Sequence, residues 1–311
     1  MIPPARRRAL LRSGLCLCCL PRFSFATDSA SLQEVAPGVF VRRGPDAEAS
    51  AANQNGIANI GFIIGRDAVL VFDAGGSLTD GRWLRAQIRQ RTERPIRYVV
   101  MSHGHPDHCF GVSAFDADQP VVMGHQRLHA ALQTRGPYYR QRLVAVLGEA
   151  AVGRLVMPTQ EIGPAGAEID LGERRLRCTA HGAAHTDCDL SLQDLATGLL
   201  LPSDLLFVGR VPVLDGSLKG WLRESQAPLA TGAAQAVPGH GPAVVPLATA
   251  LAEQTRYLTR LRDETRSAIA EGSTLESAIA GVARSERSRW SLFDDYHGRN
   301  VTQAYKELEW E

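Results

Sequence analysis

The sequence predicts an α/β protein built as a four-layer αββα sandwich with a helical C-terminal tail. Short apolar segments alternate with segments of helical periodicity along most of the 311 residues. Candidate metal ligands follow strand-like segments in both halves of the chain, which suits two similar halves that share one site. Beyond the N-terminal leader no apolar run reaches the ~18 residues of a membrane span, so none is expected.

The elements can be placed in chain order from their hydrophobic patterns. Apolar and β-branched runs in the first half predict strands near 39–42, 60–64, 68–73 and 96–101. Helical spacing predicts a helix near 79–91, and a helical pair over 125–151 that we expect to overhang the cleft.

The second half repeats the strand pattern and then becomes helical. Strands are expected near 168–171, 174–179, 190–193 and 199–201. The apolar residues of 246–272 recur at helical spacing, and the pattern continues through 274–283.

The first 26 residues are typical of an export signal and are excluded from fold reasoning. A triple arginine at 6–8 precedes the short apolar stretch 13–20, and Ser24-Phe25-Ala26 fits a small-x-small cleavage site. The segment 7–12 also resembles a twin-arginine signal. We therefore expect a periplasmic protein, with a catalytic domain over 27–250 and a helical extension over 251–311 packed on it. A mis-set start codon or a disordered leader is the alternative.

Composition limits the classes of partner. A net charge of +1, with no basic run outside the leader, does not indicate a nucleic-acid partner, so a small-molecule substrate is expected. Three of the six cysteines lie in the leader. The remaining three, Cys109, Cys178 and Cys188, are an odd and sparse set that does not indicate a disulfide framework.

The segment 103–108 packs four potential metal ligands into six residues. These residues are His103, Gly104, His105, Pro106, Asp107 and His108. They follow the strand expected at 96–101, so a turn with Gly and Pro places imidazole nitrogens at a sheet edge. Imidazole with carboxylate suits zinc, and iron or manganese less strictly. The sequence therefore predicts a metal site here.

Further candidate ligands each follow a short apolar segment downstream. They are His181 and His185 after 174–179, Asp204 after 199–201, and His240 after 234–237. The ordered set resembles the metallo-β-lactamase-fold hydrolases, with their His-x-His-x-Asp-His segment, a later His, a bridging Asp and a final Gly-His. That resemblance implies the αββα fold named above.

The resemblance also implies two Zn²⁺ ions per chain. The first zinc would be held by His103, His105 and His185. The second would be held by Asp107, His108 and His240, with Asp204 bridging the pair. Two ions that share a carboxylate leave room for a bridging hydroxide, and the catalytic roles fall to Asp107 and Asp204.

The interpretation of three positions has alternatives. Aspartate at position 204, where many β-lactamases of this fold place Cys or Ser, makes the site resemble the glyoxalase II end of the superfamily. His181 competes with His185 for the third-histidine role, and His185 is favoured because Thr186 and Asp189 continue the family's pattern. Asp73 matches the family's first acidic motif and would fix a histidine tautomer, although an ordinary turn aspartate is the simpler interpretation.

A narrower resemblance covers roughly residues 34–311. The segment 204–222, together with 299–301 and 307–311, is similar to the quinoprotein relay system zinc metallohydrolases. This implies a bacterial, exported enzyme of unsettled substrate, with a functional link to a periplasmic quinoprotein dehydrogenase.

We therefore expect a dinuclear zinc hydrolase in which a metal-bridging hydroxide attacks a small ester, thioester or lactone. Two alternatives keep the fold: a β-lactamase, and an iron-containing oxidoreductase similar to persulfide dioxygenases. A non-catalytic metal-binding or partner-binding module is a third.

Overall fold

The strand that leads to the predicted metal site belongs to the first of two sheets. A computed structural model describes Met1, residues 31–226 and residues 231–311. Within these residues the first sheet has seven strands that lie side by side in chain order. They are β1 (Leu32–Ala36), β2 (Val39–Arg42), β3 (Ile60–Ile64), β4 (Val69–Phe72), β5 (Ile96–Val100), β6 (Val121–His125) and β7 (Gln160–Ile162). Pairing is antiparallel from β1 to β4 and parallel from β4 to β7.

The second sheet supplies the later candidate ligands. Its six strands run in the order β13-β12-β11-β10-β9-β8. They are β8 (Ala167–Asp170), β9 (Arg175–Ala180), β10 (Leu190–Asp194), β11 (Leu200–Phe207), β12 (Gln235–His240) and β13 (Val245–Pro246). Only β11 and β12 are parallel among these neighbours, and they carry Asp204 and His240.

Helices cover the outer faces of both sheets. They are α1 (Leu78–Arg89), α2 (Pro106–Cys109), α3 (Leu128–Leu147), α4 (Glu149–Val152), α5 (Leu218–Glu224), α6 (Leu247–Ala270), α7 (Leu275–Gly281) and α8 (Phe293–Leu308). Two 3₁₀ segments, Val112–Asp118 and Arg284–Arg289, connect them. Helices α1 and α3 share a core with the first sheet, whereas α5 to α8 share one with the second.

Strand β4 shows why the first sheet is apolar on both faces. Its four residues alternate between two cores, because successive side chains of a strand point to opposite faces. Val69 and Val71 pack with the helices, and Leu70 and Phe72 pack between the sheets. A strand that is covered on both faces has a continuous apolar sequence, and β4 has this pattern. The αββα layering expected from the sequence is confirmed.

Several predicted elements need correction. The segment expected to be helical from residue 125 begins with a strand, since His125 ends β6 and α3 starts at Leu128. Asp204, expected in a turn after a short strand, lies inside β11, which extends to Phe207. Strands β1, β6, β7 and β13 and helices α2, α5 and α8 were not predicted.

The C-terminal helix α8 fixes the loop that follows β11. The buried Asn300 side chain accepts from the Leu214 backbone N–H at 2.9 Å and donates to the Pro212 carbonyl at 2.6 Å. Glu307 accepts from the Leu218 N–H at 2.6 Å, at the start of α5. The helical tail is thus part of the scaffold that shapes the loop 208–217.

The described part of the chain contains no helix with the length and hydrophobicity needed to cross a membrane. The export signal predicted over 1–26 lies outside the described residues, Met1 apart.

Candidate metal centre

Five histidines and two aspartates converge from the segment after β5, the segment between β9 and β10, and strands β11 and β12. They form two groups, in each of which the candidate ligand atoms lie within 4.8 Å of one another. The first group is His103, His105, His185 and Asp204, and the second is Asp107, His108 and His240. The structure therefore brings together all seven residues that the sequence proposes as ligands.

The first group is arranged around His185. Its Nε2 atom lies 3.3 Å from His103 Nε2, 3.0 Å from His105 Nδ1 and 3.3 Å from Asp204 Oδ2. Neighbouring ligand atoms of a tetrahedral zinc with bonds of ~2.1 Å are separated by roughly 3.4 Å. The observed separations match that spacing.

The second group lies against both carboxylate oxygens of Asp204. His108 Nε2 lies 3.1 Å from Asp204 Oδ1 and 3.6 Å from Asp107 Oδ2. His240 Nε2 lies 3.3 Å from Asp107 Oδ2 and 3.5 Å from Asp204 Oδ2. Asp204 therefore borders both groups, as a bridging carboxylate must.

Two orphaned atoms provide the test of whether a cation fits. His108 Nε2 and Asp204 Oδ1 are buried and lie 3.1 Å apart, yet neither makes a hydrogen bond within the described residues. A buried polar atom without a partner costs ~1–3 kcal/mol, and more when it is charged. Imidazole nitrogens and carboxylate oxygens are ligands that zinc accepts, so the donor set fits a metal that would satisfy both atoms.

Local chain geometry delivers the donors of the segment 103–108. His105 is the N-cap of α2 and Pro106 occupies the first helical position, where proline's fixed φ and missing N–H are tolerated. One short helical turn then directs Asp107 and His108 to the second group, while His105 stays with the first.

Each histidine is oriented by a hydrogen bond from its other ring nitrogen. His108 Nδ1 donates to Asp73 Oδ2 at 2.8 Å, and His105 Nε2 donates to Asp215 Oδ2 at 3.2 Å. The remaining three rings donate to an oxygen at 2.6–3.1 Å, namely His103 to Ser102 Oγ, His185 to the Val213 carbonyl and His240 to the Ile57 carbonyl. Such partners fix the tautomer that leaves the opposite nitrogen free for a metal.

Asp73 is a supporting carboxylate rather than an ordinary turn residue. It is fully buried and also accepts from Ser102 Oγ at 2.8 Å and Ser203 Oγ at 2.9 Å. Asp73 and Ser203 both have left-handed backbones, with φ of 55° and 50°. Non-glycine residues adopt this conformation at a cost, and such strain clusters at functional sites.

Gly239 is required by the carboxylate beside it. A Cβ atom at this position would lie 1.8 Å from Asp204 Oδ1. Any side chain at 239 would displace the carboxylate that borders both groups, so the Gly-His pair at 239–240 reflects a steric demand.

Burial and neighbouring charges set the protonation of the donors. Burial lowers the pKa of His185 to about 4, and burial with the charge of His108 holds the pKa of His103 well below its ordinary value. Burial opposes protonation of His108, but Asp204, Asp107 and Asp73 outweigh it and raise its pKa well above its ordinary value. The neutral rings of His103 and His185 are in the state that binds metals.

His181 lies apart from the donor groups. Its ring bridges Glu224 Oε2 at 3.1 Å and Ser191 Oγ at 2.7 Å. The sulfurs of Cys109 and Cys188 are buried near the donors, and burial raises the pKa of Cys188 to about 12. These thiols are therefore protonated at neutral pH.

A cavity of about 480 Å³ opens onto the donors. Asp107, Asp204 and His240 form part of its wall, and helix α3 contributes Tyr139 and Arg142. A second cavity of about 500 Å³ shares His105, Tyr139 and Asp215 with it and continues along α3. Helix α3 thus overhangs the cleft.

Some residues near the donors have roles that the sequence does not reveal. Asp215 reads as a turn aspartate before Gly216, and only its approach to His105 reveals its role. Arg210, Tyr296 and Arg299 line the first cavity. Arg210 and Arg299 belong to the segments 204–222 and 299–301, but the sequence does not show that they meet at one cavity.

Two packed sheets with a cluster of His and Asp donors at their edge define a class of metal-binding α/β hydrolases. Residues 54–265 match the family model described as the metallo-beta-lactamase superfamily. The chain belongs to this superfamily and is one of its hydrolases, so the expected enzyme class is confirmed.

The known proteins that resemble this chain include alkylsulfatases and metallo-beta-lactamases. A linear primary-alkylsulfatase from Pseudomonas sp. (strain ATCC 19151) is 34% identical over 64 residues, which are 21% of this chain and 12% of that protein. The inverting sec-alkylsulfatase Pisa1 from Pseudomonas sp. shares the fold with a TM-score of 0.70 and 18% identity, over 89% of this chain and 50% of that chain. A metallo-beta-lactamase from Pontibacter korlensis has a TM-score of 0.60 and 15% identity, over 74% of this chain and 98% of that one.

Proposed function

We propose that this protein is a dinuclear zinc hydrolase that acts on a small ester, thioester or lactone. The observation that carries the proposal is the position of Asp204, whose carboxylate borders both donor groups. His103, His105 and His185 would hold one ion, and Asp107, His108 and His240 the other. When bound, paired zinc ions lower the pKa of a water to about 7 and polarise a carbonyl oxygen.

The chain's own residues prepare the site for such a reaction. Asp204 would neutralise charge between the two ions, and Asp107, on the cavity wall, would hold one ion and orient the attacking water. The supporting hydrogen bonds to His105 and His108 keep these rings from turning away from the cleft. Burial of the donors excludes bulk water and strengthens their electrostatic effect.

Metal analysis tests the dinuclear proposal. We expect purified protein to carry close to two transition-metal ions per chain, mainly zinc, by mass spectrometry. The variants Asp107→Ala and His240→Ala should lose one of the two. A stoichiometry of one that both variants retain would contradict the second site, and a dominant iron content would favour the oxidoreductase alternative.

The substrate class rests on the resemblance of the segment 204–222 to the quinoprotein relay branch. We propose small carbonyl products of alcohol or aldehyde oxidation, in the periplasm, alongside a quinoprotein dehydrogenase. A panel of ester, thioester, lactone, lactam and phosphodiester substrates tests this, with zinc-loaded and metal-free protein side by side. Fractionation of cells, with N-terminal sequencing of the mature chain, tests the location.

Hydrolysis of a sulfate ester is the second candidate. Its support is the likeness to two alkylsulfatases, one of which shares the fold over 89% of this chain. Adding a short primary and a secondary alkyl sulfate to the same panel separates the candidates. Preferential release of sulfate would displace the carbonyl substrates.

A further inference from the structure

We propose that the cavity of about 480 Å³ at the donors contains an oxyanion-binding subsite built on Arg210, Tyr296 and Arg299. The inference rests on the proposed hydrolase function and narrows its substrates to small molecules that carry a carboxylate or sulfate group. The subsite combines a residue just after β11 with two residues of α8, outside the segment matched by the family model.

Arg210 is a buried guanidinium with incomplete hydrogen bonding. Only 3% of the residue is exposed, and its Nε atom has no hydrogen-bond partner in the part of the chain that the structure describes. Its amino groups make long contacts, 3.4 Å to the Ala47 carbonyl and 3.3 Å to the Tyr296 hydroxyl. A buried charge is costly unless it is paired and fully hydrogen-bonded, so this guanidinium is suited to an external anion.

The surrounding carboxylates do not neutralise Arg210. The only carboxylate within ion-pair distance of it, among the described residues, is Glu48 at 3.9 Å. The Glu48 side chain is 56% exposed, so this ion pair is weak and solvent-screened. Asp107 and Asp204 face the histidine donors, and Asp215 is bound to His105 and Arg135.

Two further arginines add positive charge to the cavity wall. Arg142 and Arg299 line it, are exposed, and form no ion pair within the described chain. The Arg299 guanidinium lies 5.9 Å from the centre of the Tyr296 ring, and Arg210 lies 5.3 Å from the same ring. Tyr296 thus separates two cations, and an oxyanion at its hydroxyl end would contact Arg210 first.

The position of the subsite relative to the donors defines what it would hold. Arg210 Nη1 lies 3.3 Å from Nδ1 of His240, whose Nε2 faces the second donor group. Since the His240 Nδ1 proton is directed to the Ile57 carbonyl, this Arg210 contact joins two donors and satisfies neither. The anion would therefore bind within a few ångströms of the reacting bond.

Calorimetric titration of zinc-loaded protein with inorganic sulfate and with succinate tests the subsite. The variants are Arg210→Gln and Arg299→Gln, with Arg127→Gln as the matched control. Arg127 is exposed and lines the neighbouring cavity, so the control removes the same charge from the other end of the cleft. Each preparation is first checked for metal content and for its unfolding temperature.

We expect Arg210→Gln to weaken anion binding by about tenfold or more, which is typical for loss of a charged hydrogen bond. Arg299→Gln should weaken it about threefold to tenfold, and Arg127→Gln less than twofold. If Arg210→Gln does not fold, Arg299→Gln decides the question. Tighter binding of sulfate would assign a tetrahedral oxyanion, and tighter binding of succinate a carboxylate.

The proposal is overturned if the wild type and both subsite variants bind the anions equally well. It is also overturned if Arg127→Gln weakens anion binding as much as the subsite variants do, or if the wild type binds neither anion. Failure of hydrolysis is a separate result. If no substrate of the panel is hydrolysed while the subsite variants still bind sulfate or succinate more weakly than the wild type, the subsite is supported and the proposed function is contradicted.

Discussion

Single residues hold the donor atoms in place at a cost in backbone strain. Asp73 and Ser203 keep left-handed backbones, and their side chains meet at 2.9 Å beneath His108. Because strained residues persist only where their surroundings over-determine them, this network indicates that the local backbone serves the site.

Replacing Asp204 should remove the link between the donor groups. We expect Asp204→Ala to lower metal content and to cut turnover by more than the roughly 10–100-fold loss typical of residues that only support a ligand. Ser203→Ala, one residue away, should have a smaller effect because it removes one hydrogen bond to Asp73. Metal analysis and kcat measured on both variants check this, and similar activity in wild type and Asp204→Ala would contradict the bridging role.

Replacing Asp215 should loosen His105 without removing a ligand. Its carboxylate accepts from His105 Nε2 at 3.2 Å, and His105, with Arg135, holds its pKa at about 2 against the effect of burial. We expect Asp215→Asn to weaken zinc affinity by roughly 10–100-fold, measured by competition with a chelating dye. Asp187→Asn is the control, since Asp187 is exposed and lines the same neighbouring cavity. Unchanged affinity in Asp215→Asn would show that His105 needs no such support.

Arg174 links secondary-structure elements of the two sheets through an ion pair and a hydrogen bond. Arg174 donates to Asp194 of β10 through Nε at 3.1 Å and Nη2 at 2.7 Å, and to the Ile64 carbonyl of β3 at 2.9 Å. Arg174 therefore connects the two sheets at the edge of their shared core.

Loss of this pair should destabilise the fold in a pH-dependent way. Burial raises the pKa of Asp194, but the hydrogen bonds from Arg174 and Thr197 outweigh it and hold the pKa below its ordinary value. The carboxylate therefore stabilises the fold above its unfolded pKa, and that stability is lost as pH falls through the folded pKa. We expect Asp194→Asn to lower the free energy of unfolding by about 2 kcal/mol at pH 7.

Urea unfolding at pH 7 and near pH 3 measures the difference. The gap between wild type and Asp194→Asn should narrow at the lower pH. Asp116→Asn is the control, because its pair with Arg154 is exposed and should contribute less than ~1 kcal/mol. If the difference in unfolding free energy between wild type and Asp194→Asn does not change with pH, Asp194 stabilises the fold through packing and hydrogen bonding rather than through its charge.

The elements also show what the sequence can and cannot reveal. The donors could be predicted because strand-then-turn patterns and ligand chemistry are local. Strand β6 could not, since only Gln126 and Arg127 separate its five residues from α3 and neither is of a residue type that favours turns. The hydrogen bond between Asp215 and His105 and the contact between Arg210 and α8 could not be predicted either, because both depend on tertiary structure.

At the scale of the whole molecule, the C-terminal helix contributes to the metal site without supplying a ligand. Asn300 is buried and ties the loop 212–214 to α8 and to the Tyr257 hydroxyl, at 2.8 Å. That loop carries the Val213 carbonyl that orients His185.

Asn300→Ala should therefore lower both the stability and the zinc affinity of the protein. We expect a loss of about 2 kcal/mol or more in the free energy of unfolding, since partners of Asn300 are left buried and unsatisfied. Thr302→Ala on the same helix is the control, because Thr302 bonds only within α8, to the Gly298 carbonyl. Denaturant unfolding and zinc competition check both variants, and a loss of stability at unchanged zinc affinity would confine α8 to a structural role.

The shape and charge of the whole cleft also disfavour antibiotic substrates. Solved lactamases share the fold over 74% of this chain at 14–15% identity, and helix α8 lies beyond the segment that the family model matches. Lys219, fifteen residues after Asp204 in the sequence, is bound to Glu311 at 3.0 Å, so it does not supply the lysine that would grip a lactam's carboxylate. Arg210 is buried beside Tyr296, where it suits a small oxyanion rather than the carboxylate of a bulky lactam. We expect kcat/KM for penicillins and carbapenems well below about 10⁵ M⁻¹s⁻¹, with a smaller ester, thioester or lactone hydrolysed faster. The kcat/KM values for both substrate types are measured on one zinc-loaded preparation. A lactam kcat/KM that reaches about 10⁵ M⁻¹s⁻¹ and exceeds the kcat/KM for the small esters would make the protein a β-lactamase.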